Sequence, residues 1–177
     1  MNNKINFLIA IILPVLFSCR SEPQRPIASS SSPIPLNEQQ IIFSKLMDVI
    51  NDSTKSQYKD SLAILIIPID ASCPFCRDRC IDYLNKYLNQ LPNNHIAIIT
   101  GNGMKAIHSY FSSKNKRVPS KDRQVYFDGT NSAYLNNLIF LHPTFYYCNN
   151  GKAYEKIKSV PVTVKNDLNR FFQIESN

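Results

Sequence analysis

Apolar positions along the chain fall into two kinds of run. Leu62 to Ile67 is continuous and bounded by Asp60-Ser61 and Pro68, and His95 to Thr100 is a second run of the same kind. This is the pattern of strands buried on both faces of a parallel sheet. Elsewhere apolar residues recur at helical spacing. Asn37 to Asn51 carries Ile41, Ile42, Leu46, Val49 and Ile50; the stretch ending near Gln90 carries Cys76, Cys80, Leu84, Tyr87 or Leu88, and Leu91. Met104, Ile107 and Phe111 mark a helix after Gly101-Asn102-Gly103. Each stripe is one face wide, so these helices lie on a sheet. Gln124 to Phe127 reads as a short strand, Asn131 to Leu138 as a short helix, and Val162 to Phe172 as a closing helix. Thr144 to Cys148 and Lys152 to Ile157 flank Asn149-Asn150-Gly151, a hairpin turn by composition. The strand-helix-strand-helix order predicts an α/β layer architecture. No internal repeat and no second domain is visible.

The N-terminus changes the picture of where this domain works. Lys4 precedes an apolar run from Ile5 to Phe17, which has the flanks of a signal-peptide core. At about 13 residues it falls short of the roughly 20 needed to span a bilayer. Leu16-Phe17-Ser18-Cys19 resembles a bacterial lipobox, with Phe17 its one bulky departure. That resemblance implies cleavage after residue 18 and a lipid on Cys19, anchoring the chain to the bilayer; an ordinary secretory signal with an incidental Cys is the other reading. Residues 19–36 are rich in Pro and Ser and read as a disordered or extended tether. In polyproline geometry it reaches up to roughly 50 Å from the membrane. Residues 37–177 are then one domain, in the bacterial cell envelope and facing the periplasm.

The chain has 5 Cys, and assigning Cys19 to lipid leaves Cys73, Cys76, Cys80 and Cys148 in a compartment where disulfides persist. The net charge of +7 is spread without a basic run, so nucleic acid is not an expected partner and the basicity reads as a solvated face.

Cys73-Pro74-Phe75-Cys76 stands where a buried strand hands over to a helix. Unpaired N–H groups and the positive end of the helix dipole favour a thiolate there, and such placement lowers a Cys pKa from about 8.5 to between about 3.5 and 7.5. Pro74 suits the first helical turn, since it lacks only an N–H that would be unpaired anyway. Cys73 is the candidate nucleophile. Cys76 lies on the same helix face and is the candidate resolving thiol. A structural zinc site or an inert disulfide would use the same residues; zinc wants four ligands, and only the scattered His95, His108 and His142 are available.

With His142-Pro143-Thr144 ahead of the hairpin, and Phe127-Asp128 followed by Tyr134, the region from about Leu62 to Phe172 resembles the thioredoxin superfamily. Its layout is most similar to the TlpA/ResA-like thiol-disulfide oxidoreductase lipoproteins. The resemblance implies a three-layer α/β/α sandwich with a mixed central sheet, and an oxidoreductase working through Cys73 and Cys76 without a cofactor. It implies exported proteins or peptides with disulfides as substrates, and a membrane electron donor or acceptor as redox partner. Pro74, Phe75, His142 and Pro143 would contact substrate, with Pro143 in the cis form opposite Cys73.

Three positions depart from that pattern. Ile67 stands where many thioredoxins bury an acid, Ser72 replaces the family's Trp, and His142 takes the place of Thr, Val or Ile before the proline. If His142 lies against Cys73 it can stabilise the thiolate or take a proton; otherwise it is a solvent-facing loop residue. Cys80 reads as a core residue, or as part of a metal set of Cys76, Cys80 and His142 similar to the copper-handling Sco proteins. Cys148 reads as structural and remote. His95 and His108 read as surface or half-buried. A thioredoxin-fold interaction protein without catalysis is the remaining alternative.

Overall fold

The structure, a computed structural model, describes residues 30–50, 61–71, 73–120 and 124–175. The signal segment, the lipobox with Cys19, and Ser72 lie outside the described residues. Among those that are described, no helix is long and apolar enough to cross a membrane.

Strand β1 (Ser30–Pro33) leads into helix α1 (Leu36–Ile50), and β2 (Ser61–Pro68) into α2 (Pro74–Tyr87), which ends in a 3-10 turn. Then come β3 (His95–Thr100), α3 (Met104–Ser113), β4 (Val125–Asp128), α4 (Ser132–Leu135), the hairpin β5 (Thr144–Asn149) and β6 (Lys152–Lys158), and α5 (Val164–Phe172). The strands form one sheet in the order β1-β6-β5-β2-β3-β4. β2 and β4 run parallel to β3, whereas β5 is antiparallel to β2 and to β6. The sheet is mixed, and its centre, β6-β5-β2-β3, has the thioredoxin-like strand order. The fold is thioredoxin-like.

The two faces of β2 show why it reads as one unbroken apolar run. Ala63, Leu65 and Ile67 pack with α2, α3 and α5, while Leu62, Ile64 and Ile66 pack with α1 and the α4 region. Both faces are covered, giving three layers, so alternation disappears from the sequence. Each fully buried Ile or Leu side chain contributes about 1.5–3 kcal/mol. The turn between β5 and β6 places Asn150 at φ 49° and Gly151 at φ 71°, the left-handed pair that a two-residue hairpin requires.

Three expectations need correction. Ser30–Pro33, assigned to the tether, is an edge strand paired antiparallel with β6. In α1, Met47 is buried while Ile41 is 57% exposed, so the core stripe runs through Leu46, Met47 and Ile50. His95 is buried: its Nδ1–H donates to the Phe171 carbonyl at 2.5 Å and its ring packs on Phe171.

Burial holds the His95 pKa below its ordinary value, against the raising effect of that carbonyl bond. A histidine depressed in the fold contributes stability that is complete above its unfolded pKa and is lost as pH falls through that value. The urea midpoint should therefore drop as pH is lowered from about 6.5. His95→Gln should flatten that slope; an unchanged slope would contradict the assignment.

Candidate functional site

The end of β2 delivers the chain to Cys73, which caps α2, with Pro74 in the first turn. The Cys76 N–H donates to Cys73 Sγ at 3.3 Å, and the Arg77 N–H donates to the Cys73 carbonyl at 3.1 Å. Cys73 and Cys76 are joined as a disulfide with Cα atoms 5.4 Å apart. Cys73 is 9% exposed and Cys76 fully buried, so an incoming sulfur meets Cys73 first. Pro74 and Phe75 are exposed beside it, with the Arg79 guanidinium over the Phe75 ring.

A polar clamp that the sequence reading missed holds this helix start in place. Arg77 Nη1 donates to the Ile69 carbonyl at 2.7 Å, tying α2 to the end of β2, and its guanidinium lies over Tyr110 of α3. Asp78 accepts from Arg77, Tyr110 and Lys114. Burial pushes the Asp78 carboxyl up, but those three hydrogen bonds outweigh it and hold the pKa at about 2.

His142 comes to the dithiol from the other side, at the entry to β5. Its ring and the sulfurs of Cys73 and Cys76 offer donor atoms within 4.8 Å of one another. The imidazole therefore lies against the pair rather than in solvent. Its Nδ1 is buried without a hydrogen-bond partner. Burial and the nearby Lys158 lower its pKa, against a raising hydrogen bond to the Ser159 backbone. The lowered pKa favours the neutral ring, which can accept a proton.

Pro143 is buried, and its carbonyl accepts from the Ser159 N–H at 2.9 Å. Its expected cis bond is not present: every peptide bond among the described residues is trans. The trans form is the default even before proline, and the Ser159 bond is made with it in place.

Ile67 is fully buried and leaves no acid on β2 beneath the pair, while Asp70 is exposed beyond the strand end. The same face buries a different acid, Asp167 of α5, which accepts from Ser159 at 2.8 Å and Thr163 at 2.9 Å. Burial raises its pKa, with those two hydrogen bonds opposing. Its signal in the sequence is an acid on the buried stripe of Val164, Leu168 and Phe171.

The remaining cysteines separate cleanly. Cys80 is fully buried, and burial with the nearby Asp167 charge pushes its thiol pKa far up. It is a protonated core residue and does not join His142, so the set of Cys76, Cys80 and His142 is not assembled; the converging group is Cys73, Cys76 and His142. Cys148 packs on the opposite face of the sheet, its thiol pushed up to about 12 by burial, and is remote as expected. His108 is exposed.

A cavity of about 160 Å³ beyond the ends of β2 and β3 is bordered by Asp70, Thr100, Tyr134, Phe140 and Leu141. Phe140 is 64% exposed and stacks on Tyr134.

No family model matches the sequence, and no curated protein is similar to it. Solved structures with a similar course of chain were found. A secreted Mycobacterium tuberculosis disulfide oxidoreductase homologous to E. coli DsbE is 14% identical with TM-score 0.43, covering 64% of this chain and 81% of that one. StoA from Bacillus subtilis is 10% identical with TM-score 0.41, covering 62% and 81%. A DsbF homologue from Corynebacterium diphtheriae is 12% identical with TM-score 0.40, covering 81% and 94%.

Proposed function

We propose that the protein performs thiol-disulfide exchange through Cys73 and Cys76, reducing disulfides in exported proteins or peptides. The observation that carries this reading is the paired sulfurs at the start of α2, Cys73 Sγ accepting the Cys76 N–H at 3.3 Å. In the dithiol state the same N–H and the helix dipole favour a thiolate at Cys73.

The Cys73 thiolate attacks one sulfur of a substrate disulfide, forming a mixed disulfide and expelling the other substrate sulfur as a thiolate. Cys76 then gives up its proton and attacks the Cys73 sulfur. The substrate leaves as a dithiol, having gained two electrons, and Cys73–Cys76 is the new disulfide. His142, neutral and within 4.8 Å of both sulfurs, takes the Cys76 proton in place of the acid that Ile67 does not provide. Phe75, exposed and two residues after Cys73, and Pro143, next in sequence to His142, position the substrate segment. A membrane electron donor returns the pair to the dithiol, and no cofactor takes part.

The envelope location and the anchor at Cys19 belong to the same proposal and rest on the N-terminal sequence. The direction rests on the resemblance to TlpA/ResA-like proteins. It is tested by mixing the reduced chain with a disulfide-bonded protein and counting the thiols that appear on that protein. If only the oxidised chain exchanges, inserting disulfides into a reduced protein, the direction is oxidation.

A further inference from the structure

The exchange centre is also a ligand set. We propose that the reduced Cys73 and Cys76, together with His142, bind one Cu(I) ion. This rests on the exchange reading, because the ion needs the dithiol state that exchange supplies.

Among the described residues, Cys73, Cys76 and His142 are the one group of His, Cys, Asp or Glu whose donor atoms converge, all within 4.8 Å of one another. Metal–sulfur bonds of about 2.3 Å and metal–nitrogen bonds of about 2.0 Å set neighbouring donors roughly 3.5–4 Å apart. The two sulfurs are bonded to each other in the oxidised pair, so reduction lets them part towards that spacing, with a His142 nitrogen already within 4.8 Å of both. A second, independent observation points the same way: His142 Nδ1 is buried without a partner, and a buried polar atom left unpaired in a native fold asks for a water, an ion or another group.

The donor chemistry narrows the ion. Two thiolates and an imidazole, with no carboxylate, exclude Ca²⁺ and Mg²⁺ and select soft cations. Zn²⁺ wants a fourth ligand. Cys76 is fully buried and Cys73 only 9% exposed, which leaves little room for a water in that position, so a three-donor site suits Cu(I). On binding, the two thiols release their protons to solvent as two copper–sulfur bonds form. The neutral imidazole gives its lone pair, and copper keeps its oxidation state. Copper and the disulfide compete for the same two sulfurs, so the ion would hold the pair reduced and block exchange.

The test uses the full-length chain carrying Cys19→Ser, reduced under argon. Alkylation under native conditions first counts the reactive thiols. Cu(I) is then titrated against bicinchoninate, with alkylation repeated at each point. The expected result is one Cu(I) per chain, loss of the fast-reacting Cys73 thiol in step with copper, and unchanged binding in Cys80→Ser. His142→Ala, checked for intact circular dichroism, should bind at least about tenfold more weakly. A fast-reacting Cys73 with no competition against bicinchoninate would overturn the copper proposal alone, as would undiminished binding in His142→Ala or displacement of copper by equimolar Zn²⁺. Absence of a fast-reacting Cys73 would sink the exchange reading and this proposal together.

Discussion

A chain carrying Cys76→Ser should accumulate a mixed disulfide between Cys73 and its substrate, while Cys73→Ser should show no exchange above background. Cys73 is the sulfur with access to solvent, and Cys76 is fully buried behind it. Without Cys73 no thiolate reaches a bulky disulfide. Without Cys76 the first step proceeds and the second has no attacking sulfur. The loss in Cys73→Ser should be about 1,000-fold or more, the scale at which a covalent route closes. The trap is read by non-reducing gel and mass spectrometry with a disulfide-bonded model protein. Equal trapping by the two single variants would show that the sulfurs are not ordered as their burial requires. Cys148→Ser should leave the reaction unchanged, since that thiol lies on the other face of the sheet.

Phe171→Ala should lower stability by about 3–5 kcal/mol. Phe171 is fully buried in α5, its ring 5.0 Å from His95, 5.6 Å from Phe145 and 5.2 Å from Phe172. It joins the closing helix to β3 and β5 on the same face of the sheet that carries α2. A domain of this size has only about 5–15 kcal/mol in total, so the urea midpoint should fall steeply. A change below about 1 kcal/mol would mean that α5 does not close the core in this way.

What could be read from the sequence follows from which interactions leave a periodic trace. β2 and β3 are covered on both faces, so they appear as apolar runs, and the Asn150-Gly151 turn announces itself through the backbone it needs. Strand β1 leaves no such trace. Ser31 and Ser32 face solvent, and the strand is held by backbone pairing to Lys156 and Ile157 of β6. Nothing in a Ser- and Pro-rich stretch distinguishes that edge from a free tether. His95 sits inside an apolar run but looks polar; a carbonyl on a helix 76 residues away makes it a core residue. Met47 replaces Ile41 in the core because a small rotation of α1 moves the stripe by part of a turn.

At the site, the CxxC and its place at a helix start were readable because helix physics acts locally. The approach of His142 to the pair is one of two readings that the sequence leaves open, and the Arg77–Asp78–Tyr110 clamp was not readable because Tyr110 is 32 residues from Asp78; the Asp167–Ser159–Thr163 network is local in sequence but leaves no periodic trace. The trans bond at Pro143 runs against the expectation set by resemblance. A proline's isomer is decided by its surroundings in the fold, and the Ser159 N–H on the Pro143 carbonyl is part of them.

The central claim is that Cys73, capping α2, is the reactive sulfur of an exchange pair. It is tested most directly by the alkylation rate of the reduced chain as a function of pH, with the modified residue identified by peptide mapping. The account predicts that Cys73 alone reacts quickly, with a midpoint at least one unit below the ordinary thiol value of about 8.5. A midpoint at or above that value, or reaction first at Cys76, would contradict it.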